Sequence, residues 1–107
     1  MPNATLSFLG LCRKAGRLAI GHDATVDTLV KHRAKLVLLA SDGSPRLAEE
    51  ARRLCERHGV PLLKTPYTMS DYQAAIGKPA AIYSVTDDGF AEKLQQKFGE
   101  ELHGNET

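Results

Sequence analysis

Apolar residues recur along the chain at two spacings, and together they predict helices and strands in strict alternation. Apolar positions three and four residues apart predict five helices, which end at Gly16, near His32, at Gly59, at Gly77 and before Gly99. Short apolar runs between the helices predict four strands, over residues 18–20, 36–40, 60–64 and 80–85. The run 36–40 (LVLLA) is apolar throughout, which is typical of a strand covered on both faces.

Residues that favour helix starts stand where the predicted helices begin. In chain order they are Asn3, Gly21, Ser44 with Pro45, Thr68 or Ser70, and 86–88 (TDD). The alternation of elements with short links predicts one domain with helices on both faces of a central sheet. We therefore expect a single-domain three-layer α/β/α sandwich over residues 1–98, followed by a polar, acidic tail over residues 99–107.

The composition is that of an ordinary globular protein and argues against several classes. The chain has 107 residues, of which 42% are hydrophobic, and no apolar run is long enough to span a bilayer, so we expect a soluble cytoplasmic protein. Aromatic residues are scarce at 6%, whereas surfaces that bind single strands by base stacking usually carry more. Cys12 and Cys55 lie within helical apolar patterns and are expected to be reduced core thiols. No Cys/His spacing predicts a metal site, and no motif predicts a cofactor.

Charge is distributed unevenly, although the net charge is only +1. Residues 1–40 carry six basic and two acidic side chains, a net charge of +4. Residues 41–78 carry +1, and residues 79–107, with two basic and six acidic side chains, carry −4. A local basic patch matters more to a nucleic acid than the total charge, so this polarity leaves nucleic-acid binding open.

No group of residues predicts catalysis. The four histidines are scattered, and neither cysteine has a base that the sequence reveals. Asp42 follows a buried strand, a position where a carboxylate can be a phosphoacceptor or a metal ligand. Turn and cap chemistry in the segment 42–45 (DGSP) explains the same residue. Asp87 and Asp88 are interpreted as favourable charge at a helix start. We therefore expect a protein that is not an enzyme.

The start of the second helix, at Gly21, is a candidate anion site. Free backbone amides and the positive end of the helix dipole favour an anion there. Arg13, Lys14 and Arg17 lie in the segment that leads to Gly21, where we expect them to contact flanking phosphates. A second basic group consists of Lys31, Arg33 and Lys35. Its position is equally consistent with a solvated face and with a further contact to a nucleic acid.

Several segments, in this order and spacing, resemble the kink-turn-binding ribosomal protein superfamily, which includes the archaeal seven-Ae and eukaryotic thirty-e proteins and the Gadd-type fold. These segments are 9–18 (LGLCRKAGRL), Gly21, 34–40 (AKLVLLA) with Asp42 and Pro45, Val60-Pro61, and 76–78 (IGK). The closing segment 84–94 (SVTDDGFAEKL) resembles the small bacterial branch called YlxQ-like. The resemblance covers residues 6–98 and implies an α/β/α sandwich around a small mixed four-stranded sheet.

The resemblance also implies a function, the binding of RNA kink-turns. These are helix–bulge–helix elements in which sheared G·A pairs widen the groove at a sharp bend, and the second helix enters that groove with its N-terminus first. Gly21 matches the glycine that opens the family segment G-x-N-E-x-x-K. Within that segment Asp23 stands at the Asn position, Ala24 at the Glu position and Asp27 at the Lys position.

We therefore predict that the protein binds structured RNA of the kink-turn type, including ribosomal RNA, as a monomer, and that it binds neither DNA nor a membrane. The predicted RNA-binding residues are Arg13, Lys14, Arg17, Gly21, His22, Asp23, Ala24, Thr25, Lys35, Asp42, Ser44, Ile76, Gly77, Lys78 and Pro79. A protein-interaction module that keeps the fold and has weakened RNA binding is the main alternative, favoured by Asp23 and Asp27. An enzyme or small-molecule binder would require a convergent polar pocket.

Overall fold

Within residues 4–103, which the computed structural model describes, the chain forms five helices and four strands in the predicted order. The predicted cap Asn3 lies outside the described residues. The helices are α1 (Ala4–Lys14), α2 (His22–Val30), α3 (Pro45–His58), α4 (Met69–Ile76) and α5 (Asp88–His103). The strands are β1 (Leu18–Ile20), β2 (Leu36–Leu39), β3 (Leu62–Lys64) and β4 (Ile82–Val85). None of these helices is long and apolar enough to cross a membrane.

The four strands form one mixed sheet in the order β1-β4-β2-β3. β4 is antiparallel to both β1 and β2, whereas β3 is parallel to β2. As a result, β1, β2 and β3 all finish at the end of the sheet where β4 begins. We call this the carboxyl end of the sheet and the other the amino end.

Helices cover both faces of the sheet, as predicted. Alternation along β2 directs Leu36 and Leu38 into a cluster with α1, α4 and α5. It directs Val37 and Leu39 into a second cluster with α2 and α3. All four residues of β2 are buried, and this confirms the prediction that the strand is covered on both faces. The fold is therefore the expected three-layer α/β/α sandwich around a mixed sheet.

The start of α3 and the ends of α3 and α4 follow the predicted local chemistry. The hydroxyl of Ser44 accepts a hydrogen bond from the Leu47 amide at 3.1 Å, with Pro45 as the first helical residue. Gly59 and Gly77 end α3 and α4 in the left-handed region, with φ of 67° and 84°. The local sequence therefore determines these boundaries without help from distant contacts.

Of the two caps predicted for α4, the structure uses Thr68, in a capping box with Asp71. Asp87 precedes α5 and caps it, because its carboxylate accepts a hydrogen bond from the Phe90 amide at 2.9 Å. This helix continues through Gly99 to His103, although the sequence predicted that it would end before Gly99. A helix already formed can extend through a single glycine at a cost of about 1 kcal/mol, so Gly99 alone does not end it.

Leu11, which follows Phe8 at helical spacing in the apolar pattern of α1, does not face the core. Thr5, Leu9 and Cys12 are buried, whereas Leu11 is 55% exposed. Adjacent apolar residues fit two overlapping helical stripes, and packing against the sheet selects the stripe through Leu9 and Cys12. Cys12 and Cys55 are both free and buried, which confirms the prediction of reduced core thiols.

Candidate functional site

The carboxyl end of the sheet gathers most of the predicted site. α2 begins there directly after β1, and the segment containing Asp42 and Ser44 follows β2. The loop 77–81 enters β4 at the same end. The Gly21 amide donates to the Ile82 carbonyl oxygen at 2.9 Å, and the Ala40 amide donates to the Ala81 carbonyl oxygen at 2.9 Å. These bonds fix the start of α2 and the loop after β2 on either side of the start of β4.

The first turn of α2 has no side-chain cap. Gly21 occupies the cap position with φ 98° and ψ 171°, and it offers no side chain to the amides that follow. The preceding bond to Ile82 and the following bond, from the Thr25 amide to the Gly21 carbonyl oxygen at 3.0 Å, hold this conformation. The amides of His22, Asp23 and Ala24 are therefore left for solvent or for a ligand. Such a helix start favours an anion or a hydrogen-bond acceptor.

Two carboxylates hold His22 at this helix start. Its Nδ1 lies 3.1 Å from Asp23 Oδ1, and its Nε2 lies 3.0 Å from Glu50 Oε1 of α3. The hydrogen bond to Asp23, followed by the one to Glu50, raises the pKa of His22 above its ordinary value of 6.5. Protonated His22 places a positive charge between two negative ones, and it also joins α2 to α3.

Replacing Glu50 by Gln is expected to lower the pKa of His22, because it removes one of the two acceptors. Since folding raises this pKa, the bridge contributes fully to stability below pH 6.5 and is lost as pH rises through the folded-state pKa. Its contribution to the free energy of unfolding stays below about 1 kcal/mol because the side chains are largely exposed. An NMR titration of the imidazole protons measures the shift. Glu49→Gln, one position earlier, serves as the control, and an unchanged pKa in Glu50→Gln contradicts the bridge.

Two residues predicted to contact RNA are buried instead. Thr25 is fully buried and Ile76 is 3% exposed. Thr25 lies on the face of α2 that packs on the sheet, where the neighbouring Thr28 hydroxyl is 2.8 Å from Ser84 Oγ. Ile76 belongs to the cluster beneath α1, α4 and α5. Their side chains pack in the core beneath the site, so they cannot contact a ligand in the folded protein.

Asp42 and Ser44 have structural partners. Asp42 Oδ1 accepts a hydrogen bond from the Met69 amide at 2.9 Å, so its carboxylate caps α4 from across the sheet end. Ser44 caps α3, as described above. Of the cap chemistry predicted within residues 42–45, the structure shows that of Ser44, whereas the carboxylate of Asp42 bonds to the start of α4.

The loop 77–81 is held from both sides. The Arg13 guanidinium of α1 donates to the Ile76 carbonyl oxygen and lies against Gly77, where an added Cβ would approach it to 3.0 Å. On the other side, the Ala80 amide donates to the Tyr83 hydroxyl at 3.0 Å. Burial raises the pKa of Tyr83 to about 12, so this hydroxyl remains protonated. Between these anchors Lys78 and Pro79 are exposed.

Comparison with known proteins agrees with this arrangement. The sequence profile of the ribosomal protein L7Ae/L30e/S12e/Gadd45 family matches residues 3–95. The chain belongs to this family. It is 37% identical over 88 residues to the RNA-binding protein YlxQ of Bacillus subtilis (strain 168), covering 81% of this chain and 87% of that one. It is 26% identical over 91 residues to the RNA-binding protein YlxQ of Enterococcus faecium, covering 85% and 87%. The predicted membership of the superfamily and of its YlxQ-like branch is confirmed.

Solved structures share the fold. A protein of unknown function from Bacillus halodurans C superposes with a TM-score of 0.87 at 27% identity, covering 92% of this chain and 100% of that one. The Giardia lamblia 15.5kD RNA binding protein superposes with a TM-score of 0.73 at 16% identity, covering 92% and 91%. The second likeness concerns the fold alone. Both matches agree with the sandwich built above from the sequence.

Some of the basic residues that were predicted to contact RNA lie away from the start of α2. Arg17 and Lys35 precede β1 and β2 and therefore lie at the amino end of the sheet. There they line an open cleft of about 520 Å³ with His32 and Arg33. Lys14, in the last turn of α1, also precedes β1. The predicted adjacency of Arg17 to Gly21 is wrong, because the length of β1 separates them.

Asp27, at the Lys position of the family segment, is also removed from the first turn of α2. It lines the same cleft at the amino end and forms an ion pair with Lys31 at 3.2 Å. Asp23, by contrast, is fully exposed at the first turn, where His22 is its one ion-pair partner among the described residues. Of the acidic departures from the family segment, Asp23 is therefore the one that directly faces a ligand docked on the start of α2.

Two basic residues at the carboxyl end escaped the sequence analysis. Arg46 is the second residue of α3, and Lys64 ends β3 beside Leu39 of β2. Both are exposed. Their position follows from the parallel pairing of β3 with β2, which no local pattern reveals. The presence of a cation in the first turn of α3 was the one available signal, since that position disfavours positive charge.

The thiols do not provide a nucleophile. Burial raises the pKa of Cys12 to about 12 and that of Cys55 to about 11, so both remain protonated at neutral pH. Among the side chains that the structure describes, those of residues 4–100, no three His, Cys, Asp or Glu come together as metal ligands would. The chemistry present at the carboxyl end is that of non-covalent anion and hydrogen-bond recognition.

Proposed function

We propose that the protein binds structured RNA of the kink-turn type at the carboxyl end of the sheet and catalyses no reaction. The observation that carries the proposal is the uncapped start of α2, which lies beside the loop 77–81 in a member of this ribosomal protein family. The names of the two YlxQ relatives, each an RNA-binding protein, support the assignment of RNA as ligand. A ribosomal RNA is the candidate target because of the family.

The start of α2 offers what a widened RNA groove requires. The three free amides and the helix dipole provide donors and partial positive charge for base edges or phosphates. Exposed Lys78 adds a full positive charge, and His22 adds positive charge when it is protonated. Exposed Pro79 presents a small apolar surface on which an extruded base can pack. Arg13 positions this loop through the Ile76 carbonyl oxygen.

The test is a titration of the protein with a kink-turn RNA and with a copy whose G·A pairs are changed to Watson–Crick pairs. We expect the copy to bind at least tenfold more weakly, because its groove does not open to admit α2. Equal affinity for the two RNAs contradicts kink-turn recognition. Binding of both then leaves a general RNA-binding protein, and co-sedimentation with ribosomal subunits tests the ribosomal target separately.

A protein-interaction module is the second candidate, and fully exposed Asp23 favours it. A carboxylate at the first turn of α2 occupies the anion site with the protein's own charge. Under this alternative the purified protein carries no nucleic acid and fails to bind either RNA at low salt. Binding of the kink-turn RNA at 0.1 M salt contradicts it.

Lys78 and Lys35 form a matched pair that tests which end of the sheet meets the RNA. Each is a lysine at a sheet end, but only Lys78 lies at the carboxyl end, since Lys35 lines the cleft at the amino end. Lys78→Gln is expected to lower affinity about fivefold at 0.1 M salt and to reduce the salt slope by about 0.8, the value for one lost phosphate contact. Lys35→Gln is expected to leave both unchanged. The reverse result, in which Lys35→Gln weakens binding and Lys78→Gln does not, indicates that the RNA binds at the amino end.

A further inference from the structure

The outer surface of α3 carries a row of arginines that begins at the proposed site. Arg46, Glu50, Arg53 and Arg57 are spaced by four, three and four residues and therefore share one side of the helix. Glu50, the only acid in the row, is engaged by His22 Nε2 at 3.0 Å. This contact joins the row directly to the first turn of α2. We call Arg46, Arg53 and Arg57 the α3 stripe.

The charges of the α3 stripe are not neutralised by ion pairs, although Arg53 adds to the effect of Arg52 in lowering the pKa of Glu49. Arg52, the neighbour of Arg53 on another side of the helix, contacts Glu49 at 2.5 Å and Glu56 at 2.8 Å. Among the side chains of residues 4–100, no ion pair engages the three stripe arginines. Arg46 also stands in the first turn of α3, where the helix dipole disfavours a cation. Its charge is therefore not explained by the helix that carries it.

α2 and α3 run side by side in the same direction, so the stripe extends along a defined path. At one end His22 contacts Glu50, and at the other the rings of His32 and His58 lie 5.8 Å apart. Arg46, four residues before Glu50, projects about 6 Å beyond the His22 contact toward the carboxyl end. The stripe as a whole spans about 17 Å.

A shallow groove of about 230 Å³ lies within the stripe. It is lined by Glu50, Arg53, Leu54 and Arg57. Arg53 and Arg57 are one turn apart, or about 6 Å along the axis, and both are exposed beside this groove. The guanidinium fork of arginine matches the geometry of a phosphate group.

We propose that the α3 stripe binds the phosphate backbone of one helical arm of the RNA whose bend docks on the start of α2. This inference rests on the proposed function and adds the direction in which the RNA leaves the site. A linear polyanion is favoured over a compact acidic partner because the three cations lie in a row, and because the row starts at the contact between α2 and α3. The stripe adds affinity without reading sequence, as backbone contacts do.

Arg53 and Arg52 provide the matched test. Arg53→Gln and Arg52→Gln remove the same charge from neighbouring exposed positions of α3, but only Arg53 belongs to the stripe. Each variant is titrated at several salt concentrations with a kink-turn RNA that has two long arms. We expect Arg53→Gln to weaken binding about sixfold at 0.1 M salt and to lower the salt slope by about 0.8, whereas Arg52→Gln changes neither. Arg46→Gln is expected to behave like Arg53→Gln.

Shortening the RNA arms, one at a time, identifies the arm that the stripe contacts. Removal of that arm is expected to abolish the difference between Arg53→Gln and the wild-type protein. Equal salt slopes for Arg52→Gln and Arg53→Gln on the RNA with two long arms overturn the proposed role of the α3 stripe. The role is also overturned if Arg53→Gln keeps its affinity for RNA but no longer binds an acidic protein partner. A different result contradicts the proposed function: the wild-type protein then binds the kink-turn RNA and its Watson–Crick copy with equal affinity. Thermal unfolding of both variants verifies that they are folded.

Discussion

Replacing Asp23 by Asn is expected to tighten binding of a kink-turn RNA by about 1–3 kcal/mol, or roughly five- to 150-fold. The Asp23 carboxylate is fully exposed at the first turn of α2, where it accepts hydrogen bonds, cannot donate them, and repels phosphates. An amide at the same position both donates and accepts, and it carries no charge. The variant also restores the Asn of the segment G-x-N-E-x-x-K to which the sequence was compared. A titration at constant pH and salt measures the gain.

Glu92→Gln is the control for Asp23→Asn. It also removes one negative charge, but Glu92 is an exposed residue of α5 on the opposite face of the sheet. An equal gain in both variants means that total charge, and not a contact at the start of α2, determines the affinity. The titration is performed near pH 6, because Asp23 is the main cause of the raised pKa of His22 and its loss lowers the charge of that residue at higher pH.

Replacing Gly21 by Ala is expected to lower the free energy of unfolding by about 1–3 kcal/mol and to weaken RNA binding at the same time. The φ of 98° and ψ of 171° lie in a region that only glycine occupies readily. No atom lies within 4 Å of an added Cβ, so the penalty comes from the backbone conformation alone. Relief of this strain shifts the first turn of α2, which carries the proposed ligand amides. Chemical denaturation and RNA titration measure the two effects.

Gly59→Ala separates the two effects. Gly59 is also in a left-handed conformation, with φ 67°, and an added Cβ there also meets no atom. Its replacement is expected to cost about 1–2 kcal/mol of stability. Since it ends α3 at the amino end of the sheet, RNA affinity is expected to be unchanged below the unfolding transition. Equal loss of affinity in both variants shows that global stability, and not the start of α2, is responsible.

The elements that the sequence predicted best are those whose boundaries depend on neighbouring residues. The Ser44-Pro45 start of α3 and the glycines that end α3 and α4 act within one turn of chain. The unbroken apolar run of β2 predicts burial on both faces without any knowledge of its partners. In α1 the apolar pattern alone does not show which residues face the core, and packing against the sheet selects Leu9 and Cys12. At Gly99 the glycine was expected to end α5, but the helix continues through it.

The candidate site divides in the same way. Gly21 was identified from the chemistry of a helix start and from the resemblance, and residues 76–78 from the resemblance alone; the structure brings both to one end of the sheet. Arg17 was grouped with Gly21 because the two are close in sequence. A strand carries the chain from one end of the sheet to the other, so residues before and after a strand lie far apart. Sequence proximity misleads there.

The sequence by itself determined the order of helices and strands, the capping of most of them, the family, and the glycine at which α2 begins. Only the tertiary structure decided which charges meet. The antiparallel entry of β4 and the parallel pairing of β3 with β2 place four chain segments at one end of the sheet. The same packing buries Thr25 and Ile76, and it brings Glu50 of α3 beside His22. Local chemistry acts over a few residues, whereas a binding surface is assembled from segments that the strand order brings together.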